Sequence, residues 1–491
     1  MRKSGVLLPI FSLPSNYGIG CFSKEAYEFV DQLKRAGQTR WQILPMGPTG
    51  YGDSPYQSFS TFAGNPYFID LETLVQDGLL SVRECKDYQY GDCEDRIDYE
   101  KLYFNRFKVL KIAYERFQPN QDYWEFLDKN KGWLEEYCLY MAIKDHQQGK
   151  SWLEWPKEYR DREPQALERA KNELAWDINF YRFQQYEFAK QWRYLHEYAN
   201  RQGIEIIGDI PIYVALDSAD TWANPKLFQM NDENIPTAVA GCPPDAFSAE
   251  GQLWGNPLYN WEYHKATDYE WWMRRIAYCF EWYDIVRIDH FRGFESFYAI
   301  PYGAENAVNG CWMPGPGMDL FRKLEEKLGK KAIIAEDLGF LTEEVHRLLH
   351  ESGFPGMKVI QFAFDSRESA NYLPHTYTPN CVVYTGTHDN TTTRDWYHTA
   401  SRECRKFAKE YMRKNALDED SLAWDFAALA MSSVADLCII PIQDYLNIDG
   451  QGRINHPSTL GGNWSWRLKK WQVTDEVLDE MYQMTKLYGR L

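Results

Sequence analysis

The residues best placed to do chemistry are the acids that close four short apolar runs: Asp209 in IEIIGDIP, Asp289 in YDIVRID, Glu336 with Asp337 in KAIIAED, and Asp389 in CVVYTGTHD. Carboxylates gathered in one cleft repel each other, so their pKa values separate and leave one group protonated and another ionised. That division suits glycoside chemistry, in which one acid protonates the departing oxygen while another attacks or shields an oxocarbenium-like carbon. Acids after strands also cap helices, so any one of them alone would carry little weight. Their neighbours add to it. Arg287 precedes Asp289 by two residues, the spacing that places both side chains on one face of a strand, where a guanidinium keeps a carboxylate ionised. Glu336 follows an apolar run that implies partial desolvation, which raises a carboxyl pKa and fits a general acid. His388, directly before Asp389, offers a donor and an acceptor to vicinal hydroxyls.

The runs that end in these acids belong to a set of eight: GVLLP (5–9), RWQILP (40–45), IEIIGDIP (204–211), YDIVRID (283–289), KAIIAED (331–337), MKVIQFAF (357–364), CVVYTGTHD (381–389) and LCIIPIQD (437–444). Short, apolar and bounded by Gly, Pro, Asp or Asn, they read as buried parallel strands. Eight such strands with helical patterns between them predict an α/β chain folded as a (β/α)8 TIM barrel, whose active site lies at the C-terminal strand ends. Ala26, Phe29, Val30 and Leu33 form one helical stripe between Ser23 and Gly37; Val345, Leu348 and Leu349 form another that Gly353 closes. The spacing is uneven. About 160 residues part the second run from the third, far more than one crossover needs, and residues 73–200 are expected to form a helical insertion with Tyr103, Phe107, Leu110, Tyr114 and Phe117 as a packing stripe. A second insertion, residues 216–272, is rich in Asn, Pro, Gly and aromatics and reads as a loop and helical insertion covering the active site. The whole chain, 1–491, is then one catalytic barrel with two insertions.

Composition narrows the partners. Acidic residues outnumber basic ones 71 to 54, a net charge of −17 that disfavours nucleic acid and anionic membranes. The 19 Trp, 34 Tyr and 26 Phe exceed what the polar mean hydropathy suggests, and rings with an apolar face and a polar edge suit sugars. No run of about 18 apolar residues and no secretory leader is read, so the expected setting is the cytoplasm, with ten scattered cysteines as free thiols. The sequons at Asn390 and Asn463 are then coincidental. Phosphate-loop and dinucleotide signatures are missing, and GIG at 18–20 lacks a third glycine. His346 and His350 have metal-ligand spacing, but Arg347 stands where a zinc hydrolase places its base; no metal and no cofactor is expected.

Longer strings carry a resemblance: SLPSNYGIG, WQILPMGPTG, DSPYQSFSTFAGNPYFIDL, GDIPIYVALDSADTW, GCPPDAFSAEGQLWGNPLYNW, VRIDHFRGFESFY, IIAEDLGFLT, YTGTHDNTTT and RINHPSTLGGNWSWR. Together they resemble the amylomaltases, 4-α-glucanotransferases of glycoside hydrolase family 77. The resemblance implies Asp289 as nucleophile, Glu336 as acid/base and Asp389 as the transition-state-stabilising carboxylate. It implies substrate-binding roles for Arg287, His388, Asp209 and Tyr56, and a covering loop, residues 241–259, that presents Trp254, Asn256 and Tyr259. It further implies transfer of α-1,4-glucan segments to the 4-hydroxyl of maltooligosaccharides, glucose or maltose by retaining double displacement, and no C-terminal β-sandwich; only about 45 residues follow the last run. VLLPIFSLPS where relatives carry LLHPTSLP, and Thr391 after THDN, depart from the pattern at positions that bear on subsites rather than on the three carboxylates. Two other readings are a hydrolase with the same three carboxylates and water as acceptor, and a non-catalytic glucan-binding barrel, which would be expected to lose some of Asp289, Glu336 and Asp389.

Overall fold

The computed structural model describes residues 2–50, 52–244, 249–339, 341–365 and 372–491. Twelve strands occur among them: β1 (Lys3–Leu7), β2 (Arg40–Gln42), β3 (Glu205–Pro211), β4 (Ala238–Cys242), β5 (Gln252–Pro257), β6 (Ile285–Asp289), β7 (Ser296–Pro301), β8 (Cys311–Pro314), β9 (Ile333–Ala335), β10 (Gly356–Val359), β11 (Cys381–Tyr384) and β12 (Leu437–Pro441). Eight of them pair in parallel in the order β10-β11-β12-β1-β2-β3-β6-β9. The ends of that sheet meet where Ala335 N donates to Pro355 O at 2.9 Å, so the sheet is a nearly closed barrel. Each of the eight apolar runs supplies one strand. The sixth stops short of its expected end, because Ile360–Phe364 turn into a 3-10 helix.

Side chains alternate between lumen and outer ring. Leu7, Ile207, Ile334, Met357, Val359, Val382, Tyr384 and Ile439 fill the lumen as a small core of their own, while a far larger core binds the strands' outer faces to the helices. The helix Lys24–Arg35 buries Ala26, Phe29, Val30 and Leu33, the foreseen stripe, and Gly37 leaves it at φ 69°. The helix Glu343–Ser352 ends on Gly353 in the left-handed region, where a glycine pays no Cβ penalty.

Gly208, between the lumen-facing Ile207 and Asp209, shows why a strand needs a glycine. A Cβ there would lie 2.3 Å from the ring of Tyr283, which packs flat on the strand. Gly208→Ala is therefore expected to destabilise the fold by about 1–3 kcal/mol, as overpacking does. A lowered urea midpoint is the expected readout; an unchanged one would mean Tyr283 swings clear without cost.

Helices fill the chain between β2 and β3, the longest being Tyr99–Arg116, Gln121–His146 and Ala175–Arg201. The last of these joins the barrel's own ring at its C-terminal half: Phe188 stacks on Trp282 at 4.9 Å, and Trp192 packs on Phe22 at 5.3 Å. Of the packing stripe expected on Tyr99–Arg116, Leu110 is buried and Phe107, Tyr114 and Phe117 pack half-buried against the core, but Tyr103 is 62% exposed; Leu102, Arg106, Val109 and Ala113, which the stripe left out, complete the buried face.

Residues 216–272 hold strands as well as loop and helix. They hold the short helix Ala219–Ala223, strands β4 and β5, the helix Trp261–Ala266 and the start of Glu270–Trp282. With β7 and β8 they build an antiparallel sheet in the order β5-β4-β7-β8, beside the strand ends. AVAGC and QLWGNP carry too many glycines and too little alternation to read as strands from sequence.

Candidate active site

The register of β3 on β6 sets Asp209 opposite Arg287 and Pro211 opposite Asp289. Arg287 and Asp289, two apart, face the lumen together as their spacing predicts. The guanidinium reaches both acids: Nη1 donates to Asp209 Oδ1 and Oδ2 at 2.7 and 2.8 Å, and Nη2 lies 3.0 Å from Asp289 Oδ1. Asp209 is fully buried and Arg287 keeps 3% of its side-chain exposure, whereas Asp289 keeps 29%. One cation thus joins a sealed carboxylate to one that a ligand can reach. Breaking such a buried pair by removing one partner costs about 3–5 kcal/mol.

Glu336 follows β9. Its two carboxyl oxygens accept from the backbone N–H groups of His290 (2.7 Å) and Leu338 (2.8 Å). Those bonds favour the charged form, and Arg287 does as well. Burial outweighs them, and with the charge of Asp289 as the second cause the Glu336 carboxyl is pushed up to about 8. Burial also drives Asp289 upward, with Arg287 as the strongest opposing influence. The two acids sit close enough to sense each other's charge, and Arg287, bonded to Asp289 but not to Glu336, makes Asp289 the one that ionises first. Neighbouring Asp337 turns away; Met357 N donates to its Oδ1 at 2.6 Å.

The third acid lies across the cleft. Asp389 Oδ2 is 3.3 Å from His388 Nε2, and its Oδ1 accepts from Asn455 Nδ2 at 2.7 Å. Tyr56 connects this side to the other: its hydroxyl donates to Asp209 Oδ2 at 2.7 Å and its ring stacks on His388 at 5.2 Å, with Trp464 at 5.8 Å. Tyr56, Trp254, Asn256, Asp289, His388 and Asp389 all line one cleft of about 640 Å³, a volume typical of small-molecule sites. Asn256 reaches it with its amide already engaged, accepting from Gln57 at 3.1 Å and donating to Val214 O at 2.7 Å.

Three of the sequence-derived binding residues, Asp209, Arg287 and Tyr259, do not line the cleft. Tyr259 is 1% exposed and spends its hydroxyl on Ile212 O at 2.7 Å; it anchors an aromatic cluster with Tyr213, Phe228 and Trp272 beneath β5. Its place near Trp254 in sequence was misleading because the chain turns inward after Pro257. Among the described residues, the Asp209 carboxylate bonds to Arg287 and Tyr56. Within the expected covering loop, residues 245–248 lie outside the described residues; Trp254 is described and meets the ring of His290 edge-on at 4.8 Å.

His290, Arg453, Asn455 and Trp464 are site residues that sequence reasoning missed. His290 holds a left-handed backbone (φ 53°), its Nε2 is buried without a partner, and burial, with Arg292 second, pushes its pKa down to about 3, so it stays neutral. Its signal was the string VRIDHF; that of Arg453 and Asn455 was RINHP. Among the described residues no cluster of His, Cys, Asp or Glu could hold a metal ion, and no helix is long and apolar enough to cross a membrane.

A parallel barrel with acids at the C-terminal strand ends and an aromatic-walled cleft defines a carbohydrate-active barrel enzyme. Comparison with known proteins specifies it further. The family profile described as 4-alpha-glucanotransferase, glycoside hydrolase family 77, matches residues 8–474. The chain is 49% identical to the 4-alpha-glucanotransferase of Clostridium butyricum, over 98% of this chain and 99% of that one. It is 44% identical to that of Thermus thermophilus, over 100% and 99%. The amylomaltase from Streptococcus agalactiae, solved in complex with acarbose, superposes over the full length of both chains with a TM-score of 0.97 at 41% identity. The amylomaltase from Corynebacterium glutamicum shares the fold at 18% identity, with a TM-score of 0.79 over 100% of this chain and 75% of that one. The chain belongs to glycoside hydrolase family 77, the 4-alpha-glucanotransferases. Its activity is that of a 4-alpha-glucanotransferase, and neither the hydrolase nor the non-catalytic reading is favoured.

Proposed function

We propose that the enzyme moves α-1,4-glucan segments by a retaining double displacement centred on Asp289 and Glu336. Glu336, protonated below about pH 8, gives its proton to the glycosidic oxygen as Asp289 attacks C1. The glycosyl group is then carried on the Asp289 carboxylate while the shortened glucan departs. Glu336, now ionised, takes the proton from the 4-hydroxyl of an incoming glucan, glucose or maltose, which displaces Asp289 and restores the α-linkage. Asp389 and His388 receive the vicinal hydroxyls of the bound glucose ring, and Tyr56 supports its apolar face. The observation that carries this reading is the contrast within the acid pair: Asp289 is bonded to Arg287, and Glu336 is pushed up to about 8.

Choosing a sugar over water as acceptor needs a cleft closed on two sides, and Trp254 on one wall and the chain around Leu460 on the other supply those walls. The relative from Streptococcus agalactiae binds acarbose, which supports a glucan in the same cleft here. Ten free cysteines agree with work in the reducing cytoplasm. Maltotriose incubated with isotopically labelled glucose tests the reading. Labelled maltose and labelled longer oligomers are the expected products; glucose and maltose without label in any oligomer would mean that water is the acceptor.

A further inference from the structure

The chain after β12 adds no strand to the barrel, yet two of its residues cross to the loop that carries His388 and Asp389. Asn455 N donates to His388 O at 3.1 Å, Arg453 Nη2 donates to Asp389 O at 2.9 Å, and Arg453 Nε donates to Asn455 O at 2.7 Å. Trp464 N donates to Ile454 O at 2.7 Å, which closes the base of the segment whose apex, Leu460, is 89% exposed beside the cleft. Finally, Asn455 Nδ2 donates to Asp389 Oδ1 at 2.7 Å, while His388 Nε2 faces Oδ2 at 3.3 Å. The Asp389 side chain is 43% exposed, so close packing does not fix the plane of its carboxylate. These two contacts, one on each oxygen, do.

We propose that Asn455 is a positioning residue for Asp389: its carboxamide sets the plane of that carboxylate toward the bound sugar, and through it the segment 453–464 is coupled to the reacting centre. The proposal rests on the reading of Asp389 as a catalytic carboxylate. An amide is the side chain that fits. It donates to Asp389 without adding charge to a cleft where Asp289 already lies across from Asp389, with His388 at the other oxygen and Arg453 on the backbone. Loss of the amide frees the carboxylate to rotate out of the geometry in which it stabilises the transition state, so kcat suffers more than substrate binding. A carboxylate in its place repels Asp389 when ionised and donates to it when protonated, as two acids that share one proton do.

The test compares Asn455→Ala, Asn455→Asp and Asp389→Asn with the unaltered enzyme on maltotriose, reading kcat, KM and thermal midpoint. Asn455→Ala is expected to lower kcat by about 10- to 100-fold, the range for one hydrogen bond to a charged group, with KM shifting by less than about threefold. Asn455→Asp separates positioning from general structural damage. Its activity relative to the unaltered enzyme at the same pH is expected to rise about tenfold between about pH 7.5 and 5.5, as the introduced carboxyl regains a proton to donate. A kcat for Asn455→Ala within about twofold of the unaltered enzyme, or a relative activity of Asn455→Asp flat in pH, would overturn the proposal. Asp389→Asn with undiminished activity would instead overturn the reading of the site itself, whatever the Asn455 variants do.

Discussion

Asp289→Ala is expected to lose transfer by about 10⁴-fold or more in kcat, the scale on which removal of a covalent nucleophile is felt. The loss should be chemical rather than structural. Asp289 is the exposed member of its triad, and Arg287 keeps its two bonds to buried Asp209 when Asp289 is gone, so the thermal midpoint should stay within a few degrees. Substrate should still bind, because Tyr56, His388 and Asp389 are untouched and are joined to one another through contacts that do not include Asp289. Calorimetric titration with a maltooligosaccharide checks both halves: near-normal affinity with vanished turnover is the expected pair of results. Turnover within about a hundredfold of the unaltered enzyme would remove Asp289 from the role of nucleophile.

Glu336→Gln is expected to cost about 10³- to 10⁴-fold with maltotriose, the upper range for a general acid. It should cost far less in the first step with an α-maltosyl fluoride donor, whose leaving group needs no proton. The pH profile gives a second reading. Turnover requires Glu336 protonated in the first step, so the alkaline limb of the unaltered enzyme should fall as pH rises through about 8, and Glu336→Gln should lack that limb with the fluoride. Stability follows the same group. The folded state holds a proton on Glu336 that the unfolded chain, with a glutamate pKa of about 4.3, has already released, so between those two values each rise in pH weakens the fold. Glu336→Gln removes that penalty and should raise the thermal midpoint at about pH 8 relative to the unaltered enzyme. A midpoint that does not rise would mean that Glu336 is ionised at neutral pH.

The barrel and the acids at its strand ends were legible because both rest on local signals. A buried parallel strand is a short apolar run, and the residue closing it must lie at the end that holds the site. Arg287 and Asp289 could be placed on one face from a spacing of two. What stayed hidden depends on contacts distant in sequence. Nothing near Asn455 says that its amide meets Asp389, 66 positions earlier. The sheet formed by β4, β5, β7 and β8 joins segments from either side of β6, and no single segment shows the alternation of a strand. Tyr259 failed for a related reason: three residues beyond the cleft-lining Asn256 the chain enters an aromatic core, and residue type alone does not separate a ring that stacks on sugar from one that stacks on tryptophan. The helix Tyr99–Arg116 makes the same point, since Tyr103 is exposed while Arg106 is buried with its guanidinium on the carbonyls of Tyr67 and Ile69.

The double displacement stands or falls on a covalent bond to one carboxylate. Glu336→Gln treated with an α-maltotriosyl fluoride can form that bond, because fluoride leaves unaided, but lacks the base that would release it. Mass spectrometry of the proteolysed protein is predicted to find one maltotriosyl group, on the peptide that contains Asp289 and on that residue. A sugar carried by Asp389, or rapid turnover of the fluoride to a β-configured product with no adduct on any peptide, would contradict the account.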